Sequence, residues 1–262
     1  MLFVLDVGNT NTVLGVFRGE ELLNHWRVVT RRDRTPDEYF ILFKELLGLG
    51  GLDATGFDGI IMASVVPTLV PPMIELCKRF LDMEPLVVGP GIKTGMPIHV
   101  DNPREVGADR IVNAVAAYER MKTALISVDF GTATTFDYIT SAGEFQGGII
   151  APGLMISTEA LFREASKLPR VELKRPPRVI GKNTVAAMQS GIVYGYAGMV
   201  DSIIGRMKEE IKQDWPAEPE PKIITSGGLA RLLAPESRHL NVVDEHLTLT
   251  GLRIIYERNK DK

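Results

Sequence analysis

Leu5-Asp6-Val7-Gly8-Asn9-Thr10-Asn11-Thr12 follows the apolar opening Met1 to Val4, and a near copy stands 123 positions later. That copy reads Val128-Asp129-Phe130-Gly131-Thr132-Ala133-Thr134-Thr135 and follows Ala124-Leu125-Ile126. Each segment is an apolar strand that ends on an aspartate and turns at a glycine. It then passes through hydroxyl or amide side chains into a second strand, Val13 to Phe17 in one case and Phe136 to Ile139 in the other. Aspartate forms strands poorly and is costly to bury unpaired, so two at equivalent strand ends point to a cation or a polyanion. Glycine lets backbone approach a ligand closely, and the N–H and O–H groups that follow suit phosphate oxygens. A single Asp-x-Gly-x-Thr is weak evidence, because Gly-Asn is also good hairpin chemistry. Its recurrence predicts a duplicated domain closing on a nucleotide.

Composition limits the alternatives. The 262 residues suffice for one large domain or two of ordinary size, and 45% apolar with 24% charged residues describes a globular chain. A net charge of −3 gives no reason to expect nucleic acid as a partner. The basic clusters Arg31-Arg32-Asp33-Arg34 and Lys174-Arg175-Pro176-Pro177-Arg178 read as solvated loops. The lone Cys77 cannot make an internal disulfide. No cationic leader precedes Asp6, and no apolar run reaches the ~18 residues that cross a bilayer. These features predict a cytoplasmic protein without a membrane partner.

The pattern of elements alternates. Strands are expected at 2–6, 12–17 and 22–29, then a helix over 36–47 with Thr35 as cap and Pro36 at its first position. A buried strand at 59–65, a helix at 71–81 and a strand at 85–88 follow, with a Gly- and Pro-rich loop over 89–102. Asn102 is expected to cap a helix over 103–120. The second cycle has strands at 124–129, 134–139 and 144–150, a helix started by Pro152 and running to about 166, and a loop over 169–178. A long helix over 184–213 capped by Asn183, a strand at 222–226 and a helix at 246–258 finish the chain. Three strands, helix, strand, helix, strand thus occurs twice, which predicts two similar α/β halves, residues 1–118 and 119–262, meeting at a cleft.

Other nucleotide motifs fail on their spacing. Gly89-Pro90-Gly91-Ile92-Lys93-Thr94 has Ile92 between glycine and lysine, and Gly48-Leu49-Gly50 has Asp53 where a third glycine belongs. The four histidines are scattered without zinc-type spacing. The terminal run Ile223-Ile224-Thr225-Ser226-Gly227-Gly228-Leu229 is an apolar strand whose glycines let backbone pass close to a flat ligand such as an adenosine. With the two Asp-Gly turns, it resembles the actin, sugar-kinase and heat-shock ATPase superfamily, whose two RNase-H-like halves hold ATP between them.

Asp101-Asn102-Pro103-Arg104-Glu105-Val106-Gly107-Ala108-Asp109-Arg110 sets a carboxylate beside a guanidinium early in a helix. Alone, such a pair need only satisfy the helix dipole and itself. Together with Asp6 to Thr12, Asp129 to Thr135, Gly147-Gly148-Ile149-Ile150-Ala151-Pro152-Gly153 and Gly181-Lys182-Asn183-Thr184, it closely resembles the bacterial type III pantothenate kinases, in the family's order along essentially the whole chain.

The resemblance implies ATP-dependent phosphorylation of pantothenate to 4′-phosphopantothenate, the committed step toward coenzyme A. It implies that Asp6, Val7, Gly8, Asn9, Thr10, Asn11, Thr12 and Val13 hold the ATP phosphates, with Thr132 contributing from the second half. Asp6 would stand near Mg²⁺ through waters, as that ion prefers. Asp129 would hold a monovalent cation, K⁺ or NH₄⁺. Gly107, Ala108, Asp109, Arg110 and Thr184 would meet pantothenate, with Asp109 as the catalytic base. Thr184 would reach it across a homodimer interface, which makes the helix it begins a dimer helix. The small residues Ala186, Ala187, Gly191, Gly195, Ala197 and Gly198 on that helix permit close helix contact, although a buried intrachain helix looks the same. Two alternatives stay open: another small-molecule kinase of the same fold, or a non-catalytic regulatory homologue, which would be expected to lose the carboxylates at 6, 109 and 129. One departure stands out. His99-Val100 lies where many relatives carry an aromatic residue before the aspartate, so this chain offers apolar area there but no hydroxyl.

Overall fold

The computed structural model describes residues 1–54 and 56–260. Its contacts resolve two α/β units. One comprises Met1–Gly95, Asn102–Ala116 and the chain from Leu247 onward; the other comprises Met96–Asp101 and Ala117–His246.

In the first unit, β1 (Leu2–Val7), β2 (Asn11–Arg18) and β3 (Glu21–Val29) form an antiparallel meander. β4 (Gly59–Ser64) and β5 (Leu86–Val87) add in parallel, giving the order β3-β2-β1-β4-β5. β1 and β4 read as continuous apolar runs because both of their faces are covered. Phe3, Leu5 and Val7 of β1 join a core with Tyr39, Phe43 and Leu47 of α1 (Pro36–Leu49) and with Met73 and Leu76 of α2 (Val70–Phe80). The expected cap of α1 is present as a capping box. Thr35 accepts from the Glu38 N–H at 3.3 Å, and Glu38 accepts from the Thr35 N–H at 2.8 Å. A cap of this kind is worth ~1 kcal/mol. On the other face, Leu249 of α7 (Leu247–Glu257) packs where β1 and β2 pair at Val4 and Gly15. Period-two alternation sets Asp6 on that same α7 face, at the end of β1. Buried Cys77 belongs to the first core, and burial pushes its thiol up to about 12, so it stays neutral.

The second unit repeats the plan. β6 (Leu125–Phe130), β7 (Ala133–Ile139) and β8 (Phe145–Pro152) form the meander, and β9 (Lys222–Ser226) runs parallel beside β6, in the order β8-β7-β6-β9. Its core joins Ile126, Val128, Phe130 and Phe136 to Leu154 of α4 (Leu154–Glu164) and Ile192, Val200 and Ile204 of α5 (Thr184–Asp214). Asn183 caps α5 as expected, accepting from the Ala186 N–H at 2.8 Å.

Four expectations are corrected. The helix expected over 103–120 is two pieces. Asn102 caps only a 3₁₀ turn at Pro103–Glu105, Val106 is extended, and α3 (Ala108–Met121) starts afresh. Pro152 does not start α4; it ends β8, paired with Ala133, and Gly153 is the cap. The second unit's closing strand shrinks to a bridge between Thr225 and Val243, preceded by the short α6 (Ala230–Leu233). Finally, the last helix returns to the first unit, and the division falls inside α3, whereas a cut at 118/119 alone leaves α7 with the second half. The apolar face of α7 explains its return, since Leu247, Leu249, Leu252 and Ile255 are buried with the first unit.

Candidate active site

The first Asp-Gly turn is built from its own strands. Pairing of β1 with β2 stops at Val7 and Thr12, leaving Gly8 to Thr10 as the loop before Asn11 opens β2. The Gly8 N–H closes it by donating to the Asn11 carbonyl at 3.0 Å. Thr30, one residue past β3, holds it from below. Its N–H donates to the Thr10 carbonyl at 3.0 Å and its hydroxyl to the Gly8 carbonyl at 2.8 Å. The Thr30 hydroxyl also lies 2.9 Å from that of fully buried Thr12. Asn9 and Thr10 are left at the surface, and Asp6 is half-buried at the strand end. Arg32 donates to Asn9 Oδ1 at 3.0 Å, so one member of the cluster read as solvated loop sits on this turn.

The second turn is the same device with one residue fewer. β6 and β7 pair as far as Phe130 and Thr134, so only Gly131 and Thr132 remain as loop before Ala133 opens β7. The structural match of Thr12 is therefore Thr134, not Thr135 as a constant offset would have it. Gly153 takes the place of Thr30, donating its N–H to the Thr132 carbonyl at 3.1 Å. A Cβ on Gly153 would lie 2.1 Å from that oxygen, so no side chain fits. The buried Thr134 hydroxyl thus lacks the partner that Thr12 finds in Thr30, and it is without a hydrogen bond. Asp129 has a neighbour that Asp6 has not. The parallel register sets Ser226 beside it, and the Ser226 hydroxyl donates to Asp129 Oδ1 at 2.7 Å. At the matching place next to Asp6 stands Ala63.

Asp109 lies in the first turn of α3, in the first unit. Its Oδ1 accepts from the Arg110 N–H at 2.8 Å, which turns the carboxylate back over Gly107. A Cβ on Gly107 would meet that oxygen at 2.6 Å, so the missing side chain is what makes room for the carboxylate. Burial raises the Asp109 pKa above the usual carboxylate range; the Arg110 N–H and guanidinium act against this but do not cancel it. A half-buried carboxylate with a raised pKa is a better proton acceptor than one in water.

Thr184 opens α5 in the second unit, exposed, beside a cleft of about 670 Å³ lined by Ser157, Leu161, Asn183, Met188 and Tyr196 among others. Asp6 to Val13, Gly107, Ala108, Asp109 and Arg110 thus belong to the first unit, and Asp129, Thr132 and Thr184 to the second. Val100 packs against Gly147 of β8, where a Cβ would stand 3.7 Å from its Cγ1.

The model of the type III pantothenate kinase family matches residues 2–206. The chain belongs to that family. A type III pantothenate kinase of Geotalea daltonii is 59% identical over 261 residues, covering 100% of both chains. One from Geobacter sulfurreducens matches equally, at 59% over 261 residues and 100% of both. Among solved structures, the activator of the 2-hydroxyisocaproyl-CoA dehydratase from Clostridium difficile, with bound ADPNP, aligns at a TM-score of 0.53 and 12% identity, over 100% of this chain and 97% of that one. At such identity the likeness speaks for the fold alone, that of the actin-like ATPases and sugar kinases.

For a pantothenate kinase of this family the metal question has a chemical answer. Among the described residues no cluster of three or more His, Cys, Asp or Glu could hold a metal ion. A Mg²⁺ carried on ATP phosphates, with one carboxylate and waters, needs no such cluster, so Asp6 fits that part. Asp129 with the Ser226 hydroxyl is an oxygen-only pair of low charge, which suits a monovalent cation. Sequence reasoning missed Ser226, Arg32 and the clearing role of Gly107. The contact of Ser226 with Asp129 comes from the parallel register of β6 and β9, which no local sequence pattern marks.

Proposed function

We propose that this chain transfers the γ-phosphoryl group of ATP to the 4′ hydroxyl of pantothenate, as a cytoplasmic homodimer. The observation that carries the proposal is the Asp109 carboxylate, half-buried at the start of α3 with its acidity weakened, in a member of a pantothenate kinase family. The alcohol oxygen attacks the γ-phosphorus, the bond from that phosphorus to the ADP oxygen breaks, and the alcohol proton passes to Asp109. Arg110, permanently charged, pairs with anionic substrate. Gly107 and Ala108 offer close backbone. Asp6 to Val13 and Thr132 take the ATP phosphates, and the turn after β9 lies along the adenosine. Mg²⁺ supplies charge neutralisation on the phosphates. The test is ADP release with pantothenate against a panel of sugars and hydroxy acids. Pantothenate alone should drive release, and a sugar outrunning it would replace the assignment.

Asp129 is proposed to hold K⁺ or NH₄⁺, which adds positive charge near the polyphosphate. Activity is then expected to require Mg²⁺ and to rise when Na⁺ is replaced by K⁺ or NH₄⁺, and Asp129→Ala should remove the response to K⁺. Equal wild-type rates in Na⁺ and K⁺ would contradict it.

The homodimer reading draws support from the outer face of α5. Ala187, Gly191, Gly195 and Gly198 are exposed there, and a Cβ on any of these three glycines would meet nothing within 4 Å. Intrachain packing therefore does not require them. Ile150, Met155, Ile180 and Val185 add exposed apolar side chains on the same unit, at 64%, 57%, 82% and 42%, which a partner surface would cover. If Thr184 serves the partner's site, mixing Asp109→Asn subunits with Thr184→Ala subunits should restore activity, because each heterodimer regains one intact site. No recovery, with subunit exchange shown by mass spectrometry, would put both residues in one subunit's site.

A further inference from the structure

We infer that α7, through Thr248, is the element that positions the proposed base Asp109. The inference rests on the reading of Asp109 as base and extends it to a helix outside the 2–206 stretch that the family model matches. Asn113 follows Asp109 by one helical turn on α3 and is 3% exposed. Its side-chain oxygen accepts from the Thr248 hydroxyl of α7 at 2.7 Å. One turn further along α7, a Cβ on Gly251 would lie 2.2 Å from the Val112 carbonyl oxygen and 2.8 Å from Val112 Cγ1. The two helices therefore touch backbone to backbone at residue 112, and the hydrogen bond beside that contact fixes their relative rotation.

That rotation decides where the carboxylate sits. In an α-helix the N–H of residue 113 donates to the carbonyl of residue 109, so holding Asn113 holds the first turn, where few other intrahelical bonds exist. The same α7 is anchored on the sheet. Leu249, next to Thr248, is 2% exposed and fills the space over Gly15, with a Cβ there only 3.1 Å from Leu249 Cδ1. Gly15 pairs with Val4 of β1, the strand that ends on Asp6. One helix thus ties the carboxylate of α3 to the strand that carries the first phosphate turn, all within the first unit. A bare packing helix needs none of this polar specificity. A leucine would fill the place of Asn113 without a polar atom, whereas a buried amide oxygen left without its donor is destabilising.

The experiment compares Thr248→Val, which keeps the shape and removes the donor, with Thr248→Ser, which keeps the donor. Steady-state kinetics are run with ATP and pantothenate, and thermal melts establish that each variant is folded. Thr248→Val should lose about tenfold in kcat with both KM values within about twofold, less than the ~10²-fold attached to a full ångström of misplacement. Thr248→Ser should keep the wild-type kcat. Asn113→Ala combined with Thr248→Val should lose no more kcat than the worse single variant, as expected of one shared interaction. A Thr248→Val enzyme with wild-type kcat, a Thr248→Ser enzyme as slow as it, or additive losses in the double variant would overturn the inference. Failure of the underlying reading looks different. Asp109→Asn would then turn over at the wild-type rate in the same assay, whatever Thr248 does.

Discussion

Asp109→Asn is expected to lower kcat by about 10²–10⁴-fold, the usual loss when a general base is removed, without lowering the melting temperature. The two halves of that expectation have one cause. Burial is the largest influence on Asp109 and raises its pKa, with the Arg110 N–H and charge opposing. A carboxyl whose folded-state pKa is raised contributes stability only while protonated. That contribution is complete below the unfolded-state value and is lost as pH rises through the folded-state value. At neutral pH the ionised group is therefore a burden on the fold, and the neutral amide relieves it while its oxygen can still accept the 2.8 Å bond from the Arg110 N–H. Asparagine should melt at or above the wild-type temperature near pH 7, with the gap closing as pH falls toward the ordinary carboxylate range. Steady-state rates and melts from pH 4 to pH 8 would read both. A variant that keeps its rate moves the base elsewhere, and one that loses both rate and stability makes Asp109 a structural residue.

Gly107→Ala should lose about 10²-fold in kcat and yet fold as well as the parent. The added methyl would occupy a point 2.6 Å from Asp109 Oδ1, the mobile end of a side chain, so the carboxylate swings away and the backbone stays. Misplacing a catalytic group by an ångström costs on that order. Gly107 is not among the glycines of positive φ, so alanine fits its backbone, and the stiffer unfolded chain should add ~0.4–1 kcal/mol of stability. A variant more stable and far less active separates this mechanism from general disruption. Wild-type kcat in Gly107→Ala would show that the fold-back of the carboxylate does not matter.

The strands were legible because their signal is local. β1 and β6 are apolar runs that end on Asp and Gly, and the 123-residue spacing of Asp6 and Asp129 announced the duplication. The cap of α1 by Thr35 and of α5 by Asn183 could be read from residue type and position. What failed depended on partners distant in sequence. Asn102 looked like the cap of a long helix, but extended Val106 breaks it, and the helix that carries Asp109 starts at Ala108. The loss of one residue from the second turn shifts Thr134, not Thr135, under the loop, which only strand register reveals. Ser226 beside Asp129 and Thr248 beside Asn113 are contacts across 97 and 135 positions, with no local pattern to mark them. The roles of Asp109, Asp129 and Thr184 came from resemblance, and their residue types alone would have allowed salt bridges and caps.

The most direct measurement is a single-turnover reaction of the wild-type enzyme with γ-labelled ATP, Mg²⁺, K⁺ and pantothenate, with the products separated and the labelled position found by mass spectrometry. The label is predicted on the 4′ oxygen of pantothenate, at one equivalent per ADP formed. Label found only in inorganic phosphate, or none transferred while another hydroxy compound is phosphorylated, would contradict the account.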